Sequence, residues 1–320
     1  MTAIINRRPA EGDRPAIVYR AAGDRHVLVE YGEMALDLEL NFFVTAVTAH
    51  LAEHPVPGLV EAAPGFRSLL LHHEPAIIDR KALIDAVNEA HRAQRSVRSL
   101  VLPSRLITLP IAFDDSESRE AVRRYATTIR QEAPNIRDNS NIDYIVEYNG
   151  LPGRDALYAT VTGTEWWNAY TGFFPGLPFM FPLDPRNAIT VPKYNPTRTW
   201  TAEGAVGIGG PCVAIYPVEA PGGYQLFGRT VPVYDVLARH EVFRDDPILI
   251  RPGDRVRFEP VSEDQLLAAR RDVLENRYEY VIENDQFSVT DYLARAAEVR
   301  AEADTLRSAR EAAAAGTEVP

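Results

Sequence analysis

Residues Lys193–Gly210 read KYNPTRTWTAEGAVGIGG, and Pro221–Thr230 read PGGYQLFGRT. The first segment combines Asn195, Pro196, Arg198 and Trp200 with four glycines, a composition too broken for regular helix. Two Gly-punctuated turns joined by a short apolar strand describe hairpins shaped around a site. The same punctuation extends on both sides. Arg105–Phe113 (RLITLPIAF) reads as a strand in which Pro110 demands an edge or a bulge. Leu157–Val161 reads as another strand, and Pro232–Tyr234 and Arg255–Glu259 read as closing strands, with Pro252-Gly253-Asp254 as a turn. Ser116 caps a helix to about Ala133, and residues 141–149 form a shorter one. Short strands with Gly/Pro turns predict a β-barrel-like domain over residues 104–260.

Outward from that domain the pattern changes. Residues 1–15 are polar and proline-punctuated and read as a flexible arm. Ile17, Tyr19, Val27, Val29 and Tyr31 alternate around the turn Ala22-Gly23-Asp24, the signature of a hairpin. Leu36, Leu40, Val44, Val47 and Leu51 recur at helical spacing, two strands follow at Leu59–Ala63 and Ser68–His72, and Leu83, Ile84 and Val87 mark a second helix. The order ββαββα over residues 16–95 predicts an α+β domain with both helices on one sheet face. Residues 261–320 form a helix-strand-helix extension. It opens on a Ser262/Gln265 capping box and ends in an Ala-rich charged helix, read as a connector or docking arm. The fold class is therefore α+β: an N-terminal α+β domain, a barrel and a C-terminal helical extension.

Composition restricts the function classes. The net charge of -11 and pI near 5.2 argue against nucleic acid or anionic membrane as a partner. One cysteine, Cys212, excludes an intramolecular disulfide and any multi-cysteine metal site, and its apolar neighbours describe an inert thiol. No signal-peptide pattern and no apolar run of about 18 residues occurs, so a cytoplasmic location is expected. Walker, H-E-x-x-H and G-x-S-x-G patterns are absent, and no metal site is expected. The aromatic run Trp166, Trp167, Tyr170, Phe173, Phe174, Phe179 and Phe181 either fills the β-core or lines a pocket. Next to it stand Asp184, Arg186, Lys193, Asn195, Arg198 and Glu203, then Gln225 and Arg229. This donor-rich set suits a small polar substrate with N–H and C=O groups, and the glycines allow backbone to approach a negative oxygen. No nucleophile with its base is among them. Catalysis here would work by positioning and electrostatics on a reactive carrier brought from elsewhere.

FFPGLPFMFPLDPR, KYNPTRTWTAEGAVGIGG and YPVEAPGGYQLFGRT resemble segments of the allophanate hydrolase subunit 1 family, and the N-terminal stretch from GDRHVLVEYGEMALDLELN resembles its first domain. Within that family the insertion around residues 116–150 and the tail RYEYVIENDQFSVTDYL are most similar to the first half of the urea carboxylase carboxyltransferase domain. The resemblance implies a cyclophilin-like barrel. It also implies transfer of CO2 from carboxybiotin to a nitrogen of urea or a related amide or guanidine. With no biotinylation motif or ATP-grasp region in the chain, it implies a stand-alone subunit. The partners would be a second carboxyltransferase subunit and a biotin carboxylase with biotin carrier, the latter using ATP and Mg. Under this resemblance Asp184 accepts substrate N–H groups, Asn195 and Arg198 orient substrate or carboxylate, and the backbone at Gly209 and Gly210 faces an oxyanion. Gln225 and Arg229 stand at the subunit interface or against biotin. The alternatives are a component of an ATP-dependent 5-oxoprolinase and a regulatory protein of the kinase-inhibitor type.

Overall fold

The computed structural model describes residues 3–320. The chain divides into two compact units: one reaches to Ser104 and takes in Asp285–Arg295, the other comprises Arg105–Asn284 and Ala296–Pro320.

The first unit is an antiparallel five-stranded sheet carrying two helices. In chain order its elements are β1 (Ile4–Arg8), β2 (Ile17–Ala21), β3 (His26–Tyr31), α1 (Leu38–Glu53), β4 (Leu59–Pro64), β5 (Ser68–His73) and α2 (Arg80–Ala93), with strand order β1-β2-β3-β5-β4. Ile17, Tyr19, Val27, Val29 and Tyr31 alternate onto one buried face, and Phe43, Val47, Leu83 and Val87 of the helices cover it. Asp37 and Asp79 cap the two helices through their carboxylates. The expected loose arm is partly a strand. Ile4–Arg8 pairs with β2, Arg8 opposite Ile17, so backbone pairing on a sheet edge orders residues whose side chains face largely outward. Met1 and Thr2 of that arm lie outside the described residues.

Polar groups are also built into this core. His91 of α2 is 3% exposed and lies between two buried phenols, 3.2 Å from Tyr19 Oη and 2.9 Å from Tyr31 Oη; Tyr19 also donates to Asn88 at 2.7 Å. Burial, reinforced by Arg8, Arg14 and Arg92, pushes the imidazole pKa down to about 3. The unfolded chain therefore takes up a proton that the folded one refuses between pH 6.5 and 3. Stability from this site is complete above about pH 6.5 and falls as pH drops, by at most about 1.4 kcal/mol per pH unit. Unfolding titrations between about pH 8 and pH 4 should show this slope, and His91→Gln should flatten it; an unchanged slope in that variant would remove His91 as its source.

The second unit is a closed barrel. Its strands are β6 (Val101–Phe113), β7 (Trp166–Thr171), β8 (Pro178–Pro182), β9 (Ala205–Gly209), β10 (Cys212–Ile215), β11 (Gln225–Arg229) and β12 (Arg255–Pro260). They run β11-β9-β10-β8-β7-β12-β6, and pairing of β11 with β6 closes the ring of seven. Strands β12 and β6 run parallel, and Pro110 is accommodated near the end of their ladder, opposite Glu259. Ile107, Ile111, Trp166, Met180, Val206, Phe227 and Phe258 fill the interior, so the tryptophan end of the aromatic run is core.

Helices α3 (Ser116–Thr128), α4 (Ile142–Tyr148) and α5 (Arg154–Thr162) lie between β6 and β7. The α3 cap is Asp115 rather than Ser116. Leu157–Val161, expected as a strand, is helical within α5. Leu157 and Val161 are four apart and both fully buried, a spacing that fits one face of a helix bounded by Gly153 and Gly163. Pro232–Tyr234 forms no strand, only a single bridge between Tyr234 and Ile248.

Beyond Pro260 come α6 (Glu263–Leu274), β13 (Val281–Ser288), α7 (Val289–Glu298) and α8 (Arg300–Gly316). The Ser262/Gln265 capping box is present. Residues 261–320 do not form a unit of their own, because their segments are shared between the two. Nor is α8 a free arm. Ala303 and Arg310 are buried, Arg310 donates to the Ala188 carbonyl at 2.9 Å, and Tyr144 Oη donates to the Glu318 carbonyl at 3.0 Å. Its alanines let it lie close to the rest of the barrel unit, a packing partner that helix periodicity alone does not reveal. No helix among the described residues is long and apolar enough to cross a membrane.

Candidate functional site

The segment Lys193–Gly210 and the β7–β8 turn build one cavity. Residues 172–177 make a tight turn, with Phe174 N–H donating to the Gly172 carbonyl at 2.9 Å and Leu177 N–H to the Phe174 carbonyl at 3.1 Å. The turn holds Phe173 at φ 68° and 88% exposed. Opposite, residues 194–198 lie along residues 222–223: Tyr194 N–H donates to the Gly223 carbonyl at 2.7 Å, and Arg198 and Gly222 exchange bonds at 2.9 and 3.0 Å. Between the two runs lies a cavity of about 310 Å³. Phe173, Phe174 and Phe179 form one wall, Tyr216 and Tyr224 another, and Lys193 and Thr197 the rim over Gly222 and Gly223.

Two glycines are required by close approach. A Cβ on Gly222 would stand 2.5 Å from Tyr216 Cε1, and one on Gly209 2.5 Å from Tyr224 Cε1. Both rings therefore pack directly against glycine backbone beside the cavity they line.

The electrostatics are one-sided. Lys193 is the only charged side chain in the lining, with Nζ 5.2 Å from the Tyr224 ring centroid. Arg198 stands behind the wall, 1% exposed. Its guanidinium donates to the Tyr224 carbonyl at 2.5 Å and to Thr201 Oγ1 at 3.3 and 3.2 Å, and lies 4.6 Å from the Tyr194 ring centroid. Among the described residues Arg198 has no carboxylate partner, so a buried positive charge adds to Lys193. The Gly223 N–H, on the cavity floor, has no backbone partner among the described residues. Cys212 is no nucleophile: burial pushes its thiol up to about 12.

The expected site residues are distributed differently. Arg198 has its guanidinium engaged inside the wall, with Thr201 and the Tyr224 carbonyl. Gln225 is fully buried, donating to the Pro192 carbonyl at 2.8 Å and accepting from Asn135 at 2.9 Å. Its amide is engaged within the chain, where it holds the segment that delivers Lys193. The Gly210 N–H is taken by the Val191 carbonyl at 2.8 Å, and Gly209 lies within β9 against Tyr224. Arg229 donates to the Glu203 carbonyl at 2.8 Å, and burial beside Arg270 lowers its pKa. Asn195 is exposed two residues beyond Lys193, joined to Pro196 by a cis peptide bond.

Asp184 is at the far end of β8 from Phe179. It caps the 3-10 turn Pro185–Asn187, accepting from Arg186 N–H at 2.9 Å, and pairs with the Arg186 guanidinium at 2.7 Å. Burial would raise its pKa, but the bonds from Arg186 outweigh this and hold it low. Asp184→Ala should lower stability by about 1 kcal/mol, as loss of a cap does, while Asp184→Asn leaves turnover in an assembled enzyme near normal. Loss of turnover in Asp184→Asn at unchanged melting temperature would return Asp184 to the reaction.

Sequence reasoning places Lys193 among the donors and Phe174 in the aromatic run that fills the core or lines a pocket, but does not name Tyr216 or Tyr224 as site residues. A cation next to such a turn is a readable signal for Lys193. Tyr216 and Tyr224 leave none, because their place in the lining depends on how the chain around each ring packs.

Comparison with known proteins gives this arrangement its family. The model for the carboxyltransferase domain, subdomain C and D, matches residues 17–243. The chain belongs to the carboxyltransferase family. Urea amidolyase of Lachancea kluyveri is 36% identical over 279 residues, covering 87% of this chain and 15% of that protein. The B component of the 5-oxoprolinase of Escherichia coli O157:H7 is 30% identical over 240 residues, covering 72% of this chain and 94% of that protein. The crystal structure of Kluyveromyces lactis urea carboxylase superposes with a TM-score of 0.85 at 33% identity, covering 98% of this chain and 28% of that one. This carboxyltransferase chain thus spans a minor part of the urea amidolyase and urea carboxylase relatives, and nearly all of the oxoprolinase component. The family resemblance and the α+β-plus-barrel expectation both hold.

Proposed function

We propose that this chain is one part of the carboxyltransferase of a biotin-dependent carboxylase, acting on a nitrogen of urea or a related amide or guanidine. The observation that carries the reading is the aromatic cavity with Lys193 at its rim, Arg198 behind its wall, and neither a carboxylate nor a nucleophile in its lining. Flat aromatic faces accept a planar ureido ring, and the positive field favours a carboxylated or negatively charged oxygen. Such donors are compatible with biotin, and the group would supply the carboxyl when brought here by a partner. On this chain, Lys193 Nζ and the Gly223 N–H would meet the negative oxygen. The phenyl rings of Phe174 and Phe179 would exclude water from it. Thr197 would bond substrate at the rim, and Asn195 remains a candidate there. Removing a proton from the substrate nitrogen is not assigned to any side chain in this lining.

The exposed Phe173 beside the cavity suits cover by a second carboxyltransferase half, which would complete the substrate side. A biotin carboxylase with its carrier, using ATP and Mg, would be the remaining partner. Urea carboxylase relatives match through the C-terminal helices, whereas the oxoprolinase relative covers less of the chain. That favours the carboxylase reading. The test is co-expression with a second carboxyltransferase half and a biotin carboxylase–carrier, followed by assay for urea- and bicarbonate-dependent ATP hydrolysis. Avidin should abolish it. Avidin-insensitive, ATP-dependent opening of 5-oxoproline would replace this reading with the oxoprolinase one.

A further inference from the structure

The first unit contains a second cavity, of about 640 Å³, independent of the carboxyltransferase site. Its lining brings together Arg8 at the end of β1, Arg14 before β2, and Arg92 and Arg95 at the end of α2, against one carboxylate, Glu11. In a chain of net charge -11, four guanidinium groups around one hollow are an outlier that folding must hold against mutual repulsion.

Their partners are few. Arg14 pairs with Glu11 at 2.5 Å and donates to the His91 carbonyl at 3.4 Å. Arg92 reaches Glu89 only at 3.9 Å, with both side chains more than half exposed. The side chains of Arg8 and Arg95 have no ion pair or hydrogen bond among the described residues. Nearby Asp13 is occupied elsewhere, accepting from Ser96 Oγ at 2.7 Å and Arg98 N–H at 2.9 Å. His91, at the cavity floor, is held neutral and adds no charge of its own. Ile17 and Phe43 give the hollow an apolar side. Guanidinium forks without a partner among the described residues, lining one hollow that also has an apolar side, are a donor set suited to bidentate capture of oxyanion groups.

We propose that this cavity binds a small organic or inorganic polyanion carrying two or more phosphate or carboxylate groups, with Arg8 and Arg95 as the principal donors. Edge strand β1 is ordered against β2 with Arg8 in the same lining as the end of α2, which gives the N-terminal segment a function beyond extending the sheet.

The experiment is calorimetric titration of the full chain with pyrophosphate and, separately, citrate at low ionic strength. Saturable binding of either supports the site, and the tighter of the two tells phosphate from carboxylate recognition. The double variant Arg8→Gln/Arg95→Gln should bind about a hundredfold more weakly, at roughly tenfold per charged donor. Its melting temperature without ligand should not fall, because neither side chain is paired and their removal relieves repulsion in the cluster. A charge-matched control, Arg277→Gln/Arg307→Gln on exposed positions, should bind as the parent does. Absence of binding by both probes at about 1 mM, equal weakening in the control, or undiminished binding in the Arg8/Arg95 variant would each overturn the proposal.

Discussion

Lys193→Gln is expected to lower carboxyl transfer by about a hundredfold in the reconstituted enzyme, with the protein's melting temperature unchanged. Loss of one donor aimed at a developing negative oxygen costs about 3 kcal/mol of transition-state stabilisation. Lys193 is the one charged group in the cavity lining, so no neighbour replaces it. Its side chain is exposed and makes only a ring contact with Tyr224, so folding loses little. The effect should fall on kcat more than on KM, since the interaction strengthens as charge develops. Lys193→Arg should recover part of the rate, because the charge survives while its geometry changes. The measurement is avidin-sensitive turnover of the assembled complex, with thermal unfolding of each variant alongside. Turnover within about twofold of the parent in Lys193→Gln would move the site out of this cavity.

Periodicity carries most of the fold. The alternation of Ile17 to Tyr31 and the helical spacing of Leu40 to Leu51 are local signals, and they match β2, β3 and α1. Where pairing is the organising force, residue type misleads. Ile4–Arg8 has polar side chains yet forms a strand because β2 offers an open edge. The run Leu157–Val161 is β-like in composition, but two flanking glycines and a core on one side make it a helix. Within the site, the Gly-rich segment is legible in the sequence and its glycines matter, but for a different reason. They make room for Tyr216 and Tyr224, and the Gly210 N–H is taken up by the Val191 carbonyl. Polar residue type also leaves open which groups are already engaged: Gln225, Arg229 and Asp184 are each bonded to their own chain. Sequence shows that a donor exists; only the structure shows whether it is already spent.

Arg198 is the sharpest case, and replacing it should have the largest effect on stability. The side chain is almost wholly buried, and its guanidinium serves the Tyr224 carbonyl, Thr201 Oγ1 and the Tyr194 ring together. Arg198→Met keeps much of the volume but leaves those acceptors without donors in a dry wall, a cost of about 3 kcal/mol or more. For a unit of this size that corresponds to a melting temperature lower by roughly 10 °C. Arg198→Lys retains the charge but not the fork, and one ammonium cannot reproduce the spread from Thr201 to the Tyr224 carbonyl, so an intermediate loss is expected. Activity should fall in both, because Tyr224 and the Gly222–Gly223 floor are what Arg198 ties to residues 194–201. The two variants also separate packing from field. If Arg198→Lys retains turnover in proportion to its folded fraction, the positive charge behind the wall is sufficient. If Arg198→Met keeps its melting temperature and loses only turnover, the guanidinium acts on the reacting groups rather than through the wall.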